Sequence, residues 1–488
     1  MINYKNRLNI LQSNQSVLLR DQDNSEVVSR LVSFKKDDPD RERYLDQLFS
    51  TLLLKSKSYE KIYLIGCELL KAELGSDAEI FAVESIRAQP GYRKAYELLA
   101  HALTKQGDHK EAAVCMGFKV TERLIRKYFS SEARFINSLN NDSIGFNRWV
   151  AHPSSVKQLS PPKQIAPQNT DKLNSLEIRA TEAYTVSIAH GRLWYDGHNI
   201  VVWDRNGRLV EDLCNGNSEI VNASIGDRQP MYIQGKASLL GSRGTVNYYH
   251  WMNDALPRLE VLKSSGVELE SIEKFVALPL KKRFHEQTLS SFGIDESRLH
   301  DCIVDCYIEA KELLIPIFGN ELGKKQGCWL PQFLKAQYSQ LSSCDSPHKR
   351  IYISRGSKGA RGIINEEELV EYLLRKNFHI LKLENCSLEE QVSLFSAADV
   401  VFGPHGAGFT NTVFCSPGTK VIELYSSHVE PCFWISSELN DLEHYMHFCG
   451  KGFNSTNMNQ RKVVAQRLSS LQVDMREIES LLVYAGVV

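Results

Sequence analysis

The chain is expected to be an α/β protein, a parallel sheet covered by helices, preceded by an all-α region. Three observations predict this. Over residues 349–426, short β-branched and aromatic runs alternate with segments of helical period, the pattern of a parallel sheet with helices on both faces. Before about residue 130 apolar residues instead recur at helical spacing, as in Leu45, Leu48, Leu52 and Leu53 and in Ile62, Ile65, Leu69 and Leu70. The composition, 42% hydrophobic and 24% charged with a net charge of -1 over 488 residues, is that of an ordinary globular chain of about three domains. It shows no basic surplus that would point to nucleic acid as a partner.

In chain order, residues 1–135 form the helical region. From Ala78, AEIFAVESIRAQPGYRKAYELLAHALTKQGDHKEAA resembles a tetratricopeptide unit. One such unit is too short for a free-standing solenoid, so it is expected to pack on the rest of the chain, on a protein partner, or on a second copy. Residues 136–180 are rich in Pro, Ser and Asn and read as a linker. Residues 181–340 follow as the first Rossmann-like domain with a β-rich lead-in. Tyr184 to Val210 alternates as strands do, with hairpin turns at Asp196-Gly197 and Asn206-Gly207, and Trp194 and Trp203 are read as core. Within NYYHWMNDALPRL at 247–259, His250, Asp254 and Arg258 recur every four residues and so share a helix face beside an apolar stripe of Trp251, Ala255 and Leu259.

Residues 341–456 make the second Rossmann-like domain. Strands are expected at Ile351–Ser354, Phe378–Leu383, Val400–Phe402 and Lys420–Tyr425, with capping boxes Asn365/Glu368 and Ser387/Glu390 opening the intervening helices. Residues 457–488 are a charged terminal helix. Ligands of such sheets bind beyond the carboxyl ends of the strands, where two loops fall. One is basic, with Arg355, Lys358 and Arg361. The other is Gly403-Pro404-His405-Gly406-Ala407-Gly408, whose glycines admit a ligand to the backbone and whose following helix opens N–H groups toward an anion such as a diphosphate. Neither loop is a Walker sequence nor the dinucleotide fingerprint.

HGAGFTNTVFCSPGTKVIEL, with YISR upstream and NYYHWMNDALPRL earlier, resembles glycosyltransferase family 61, and the resemblance spans roughly residues 180–450. It implies the two-Rossmann-domain GT-B architecture and inverting transfer of a sugar from a nucleotide-diphosphate donor, with UDP expected, to a glycan hydroxyl. No metal or other cofactor is implied. Inverting transfer needs one base and a set of cations or N–H donors for the departing diphosphate. Asp254 is the first choice of base and His250 the second. Arg355, Lys358, His405, Gly406, Ala407, Gly408, Phe409, Thr410 and Asn411 are the donor-binding candidates, and Glu423 is placed on the ribose hydroxyls or in a salt bridge within the sheet. Arg258 and Arg243 are auxiliary candidates. In this architecture the terminal helix is expected to brace the first domain.

Eleven cysteines without CxxC pairs read as reduced thiols rather than a metal site. An N-terminus without an apolar core, and no apolar run of membrane-spanning length, lead to the expectation of a cytoplasmic enzyme, at most peripheral to the inner membrane. Surface polysaccharide or capsule synthesis is the setting that follows. Two other readings stay open: a catalytically inactive sugar-nucleotide-binding scaffold, and a UDP-sugar epimerase on the same architecture.

Overall fold

The computed structural model describes residues 23–34, 38–53, 58–129, 135–138, 146–165, 177–226, 228–301, 306–319, 327–342, 346–355, 361–426, 430–449 and 470–488. Two compact units emerge, each built from separated stretches: 1–146, 188–234 and 302–313 in one, and 147–187, 235–301 and 314–488 in the other. Among the described residues no helix is long and apolar enough to cross a membrane.

In the first unit seven helices run from Asn24–Ser33 to Glu122–Tyr128. Gly75–Ala88 and Arg93–Lys105 form a helix-turn-helix around Pro90, whose carbonyl accepts from Tyr96 Oη at 2.7 Å. The β-rich stretch expected to introduce the first Rossmann-like domain falls instead with these helices. The reason is local bonding: Asn217 donates to Tyr96 Oη at 3.2 Å and to the Phe118 carbonyl at 2.9 Å, and Ile220 is buried in the helical core. The hairpin joining residues 192–195 to Ile200–Trp203 turns at Asp196-Gly197 as expected, and Trp194 and Trp203 are both buried.

The second unit contains two sets of parallel strands. Residues 236–239 run parallel to Ile272–Ala277, which runs parallel to Leu299–Asp301. The helical stretch 248–264 makes the first crossover and Arg283–Ser290 the second. Further on, five all-parallel strands lie in the order His379–Leu381, Arg350–Ile353, Val400–Pro404, Lys420–Tyr425, Glu443–Phe448. Every expected strand of this sheet is present, and Glu443–Phe448 adds an edge. The strands read as continuous apolar runs because both faces are covered. Ile351, Ile353, Val401 and Val421 point to one core with Val392, Phe395 and Phe409, while Tyr352, Phe402 and Ile422 point to the other with Leu369 and Leu373.

Three expectations are corrected here. The terminal helix, observed as Met475–Tyr484, buries Ile478, Leu481 and Leu482 against Tyr352, Phe402 and Ile422, so it braces the five-stranded sheet and not the first domain. Among the described residues the helix Glu366–Arg375 shares in covering that face, through Leu369 and Leu373. The stretch 136–180 is in part ordered structure. Ser155–Gln158 pairs antiparallel with Glu177–Ala180, and past Pro161-Pro162 the extended backbone of Lys163 exchanges hydrogen bonds with His444 and Met446, both at 2.9 Å, on the sheet edge. Residues 166–176 of that stretch lie outside the described residues. The Ser387/Glu390 capping box forms as expected, but Asn365 turns its amide to the Val473 backbone, with bonds of 3.0 and 3.1 Å, and leaves its own helix uncapped.

Candidate active site

Both Gly-rich loops leave carboxyl ends of neighbouring strands of the five-stranded sheet. Arg355 follows Arg350–Ile353 directly and donates from Nη1 to the His405 carbonyl at 3.2 Å, tying one loop to the other. Gly406 sits in extended backbone where an added Cβ would collide with the Arg355 guanidinium. A side chain there would push the cation away, which is the physical need for glycine at this position. After it, Ala407–Phe414 winds as a 3-10 helix. Ser354, Arg355, Glu384 and Gly406 to Gly408 line a cleft of about 290 Å³. Burial and the neighbouring Arg361 push the Arg355 guanidinium down from its ordinary value, with Glu384 opposing; such a group starts high enough to remain a cation. Lys358 lies outside the described residues.

His405 and Glu423 are not among the residues that line this cleft. The His405 ring is buried between Tyr425 and Phe433, at centroid distances of 5.1 and 5.4 Å, and its Nδ1 lies 2.5 Å from Glu423 Oε1. Glu423 is wholly buried; Tyr425 Oη donates to its Oε2 at 2.5 Å, and His444 Nε2 lies 3.3 Å from the same oxygen. Burial by itself raises this carboxyl, but the imidazoles of His405 and His444 more than offset that and hold it down to about 2. With both oxygens engaged, Glu423 is not available to ribose. Its contacts are those of an ion pair within the sheet, to His405 and His444.

The side chains of Phe409, Thr410 and Asn411, expected among the donor contacts, also turn inward. Phe409 is in the core, and Thr410 Oγ1 is buried without a partner. Asn411 donates to Gln391 Oε1 at 2.7 Å and accepts from Tyr248 Oη at 2.7 Å. That last bond attaches the second motif. The chain is α-helical over Tyr248–His250, widens to a π-helix over Trp251–Ala255, and returns to an α-helix at Pro257–Ser264. Pro257 has no N–H for the usual bond, and Leu256 N reaches back five residues to the Trp251 carbonyl at 2.9 Å.

At this junction His250 Nδ1 lies 2.6 Å from Asp254 Oδ2. The His250 side chain is 37% exposed and that of Asp254 17%, so the imidazole is the member of the pair that faces solvent. Gly244, at φ +81°, packs so tightly that an added Cβ would stand 2.9 Å from the His250 ring. Arg243 is exposed on the same turn. Arg258 donates to the Pro316 carbonyl at 2.6 Å and lies over the Phe318 ring, a structural engagement. The two motifs meet a second time through Phe433, whose ring packs against Tyr249 at 5.5 Å and against His405.

Sequence reasoning missed Glu384, His444, Tyr425, Phe433 and His285. His285 is buried, and its Nε2 lies 3.0 Å from the Thr245 carbonyl, holding the turn behind His250. Only His444 left a trace, as a polar residue in the alternating EHYMHF strand. Phe433 and His285 make their contacts with segments distant in sequence, to His405 and to the Thr245 carbonyl. Among the described residues no group of three His, Cys, Asp or Glu is gathered as metal ligands, and the described cysteines are free.

Comparison with known proteins bears on this arrangement directly. Residues 248–422 match the family described as Glycosyltransferase 61, a span that takes in the His250–Asp254 pair, Arg355 and the His405 loop. A stretch of 60 residues is 40% identical to a beta-1,2-xylosyltransferase of Oryza sativa subsp. japonica, covering 12% of this chain and 11% of that protein. The alignment thus reaches about a tenth of that relative's length. Over residues 248–422, the stretch that carries both motifs, the chain is similar to the glycosyltransferase 61 family.

Proposed function

We propose that the chain is an inverting, metal-independent glycosyltransferase of the GT-B type that moves a sugar from a nucleotide-diphosphate donor, UDP foremost, to a hydroxyl of a glycan acceptor. One observation carries the reading: within the family-matched span, Arg355 and the Gly406–Gly408 backbone line a single cleft beyond the carboxyl ends of adjacent parallel strands. Oriented N–H groups and a guanidinium at that place suit a diphosphate leaving group, because they stabilise charge as it develops without having to reorganise.

The base in this scheme is His250 acting through Nε2. Asp254, bonded to Nδ1, fixes the tautomer and stabilises the imidazolium formed when the acceptor hydroxyl is deprotonated. The sequence alone favoured Asp254 as the base; the greater exposure of the imidazole reverses that preference. In-line attack of the acceptor oxygen on the anomeric carbon then breaks the bond to the diphosphate, whose charge Arg355 and the loop N–H groups receive. The helical region, with its tetratricopeptide-like text, is assigned to a protein partner or self-association.

The test is thermal stabilisation of the full chain by UDP-, GDP-, CMP- and dTDP-sugars, since a ligand at about 100 times its Kd adds roughly 2.7 kcal/mol to the folded state. A shift with one nucleotide class, followed by transfer to a glycan, supports the reading. No shift with any of them removes it.

A further inference from the structure

The cleft contains a group that the phosphate reading does not use. Glu384 lies in the 3-10 turn Leu383–Asn385, just past His379–Leu381, the strand paired in parallel with Arg350–Ile353. Its side chain is exposed and lines the same cleft as Arg355 and Gly406 to Gly408. Among the described residues no hydrogen bond or ion pair engages it. The turn is pinned in place, because Leu383 packs against Gly408 so closely that an added Cβ there would meet Leu383 Cδ1 at 2.7 Å. Ser354 N also donates to the Leu381 carbonyl at 2.9 Å. The turn that carries Glu384 is therefore held at one place along the cleft.

A carboxylate is an acceptor only, and it repels phosphate. Glu384 already acts through space on Arg355, and the hydrogen bonds that its two oxygens can still accept suit a neutral group rich in O–H donors. A vicinal diol matches the two carboxylate oxygens, and in a nucleotide the ribose diol lies within one sugar of the phosphates. Sheets that bind nucleotides use this layout, with phosphates at the loop after one strand and an acid after its neighbour on the ribose.

Resting on the donor reading above, we propose that Glu384 binds the 2′,3′-diol of the donor, so that the cleft selects a ribonucleoside diphosphate over its 2′-deoxy counterpart. Glu423, wholly buried, is excluded from that role.

The test is isothermal titration of the full chain with the ribo and 2′-deoxy forms of uridine, guanosine and cytidine diphosphate, on the natural sequence and on Glu384→Ala and Glu384→Gln. The natural chain is expected to prefer the ribo form about tenfold to hundredfold, the scale of one lost hydrogen bond to a charged group. In Glu384→Ala the preference should fall to within about twofold through weaker ribonucleotide binding alone, with Glu384→Gln intermediate. Circular dichroism checks that each variant is folded. A ribo form that binds with the same preference in the variants, or binds tighter when the carboxylate is removed, overturns the assignment and leaves the donor reading standing. No binding of any of the nucleotides to the natural chain overturns both.

Discussion

Replacing Glu423 by Gln probes a wholly buried carboxylate. The carboxyl is held at about 2 against an ordinary 4.5, a difference equivalent to roughly 3 kcal/mol of folding stability. Because the folded value is the lower one, this stability is fully present above about 4.5 and is lost as pH falls toward about 2. Glu423→Gln keeps the shape and a carbonyl acceptor but carries no charge to pair with the imidazoles of His405 and His444. The variant should therefore be less stable than the natural chain by roughly 3 kcal/mol at neutral pH, within the range for breaking one side of a buried pair. The gap should close as the solution is acidified through that window. Urea unfolding followed by tryptophan fluorescence at a series of pH values measures it, and the difference between the two proteins cancels the other carboxylates. A gap that stays constant from neutral to acid pH would refute the reasoning, since the carboxyl would then not be ionised through His405 and His444.

Other outcomes follow from the cleft and the dyad. Arg355→Ala should weaken binding of UDP by about tenfold to hundredfold by calorimetry, the scale of a charge-assisted contact to phosphate; an affinity within about twofold of the natural chain would make that guanidinium a solvated surface group. Gly406→Ala should raise the donor KM by displacing the same guanidinium, and an unchanged KM would show that the close approach has no bearing on the donor. Asp254→Asn and His250→Ala should each cut turnover by about 10²-fold or more with donor affinity retained; if His250→Ala stays near the natural rate while Asp254→Asn falls, Asp254 is itself the base. Activity should persist in EDTA because Arg355 and the loop N–H groups carry the leaving-group charge, and loss on chelation with recovery in manganese or magnesium would reject that assignment.

The alternation of strands and helices over 349–426 was legible because its central strands, Arg350–Ile353, Val400–Pro404 and Lys420–Tyr425, are buried on both faces and so read as apolar runs between turn residues. The His250–Asp254 contact was legible too, since four residues on a helix bring two side chains to one face whatever surrounds them. Both are periodic properties, and periodicity is written locally. The π-turn at Trp251–Ala255 lies within that local reach but depends on Pro257 withholding one hydrogen bond.

What the sequence could not decide was which way each polar side chain faces once the sheet is assembled. His405, Asn411 and Glu423 have the chemistry of a phosphate and ribose site, yet tertiary packing turns His405 onto Tyr425, Asn411 to Gln391 and Tyr248, and Glu423 to His405 and His444, all on other elements. Glu384, unremarkable in its own segment, is carried to the cleft because its strand pairs beside Arg350–Ile353. Likewise the terminal helix covers the five-stranded sheet by joining Leu369 and Leu373 of the crossover helix on the apolar face of Tyr352, Phe402 and Ile422. Composition and period determine which elements form and which of their faces are apolar. Strand order, and the competition of buried polar groups for partners, determine which of the candidate residues reach the ligand.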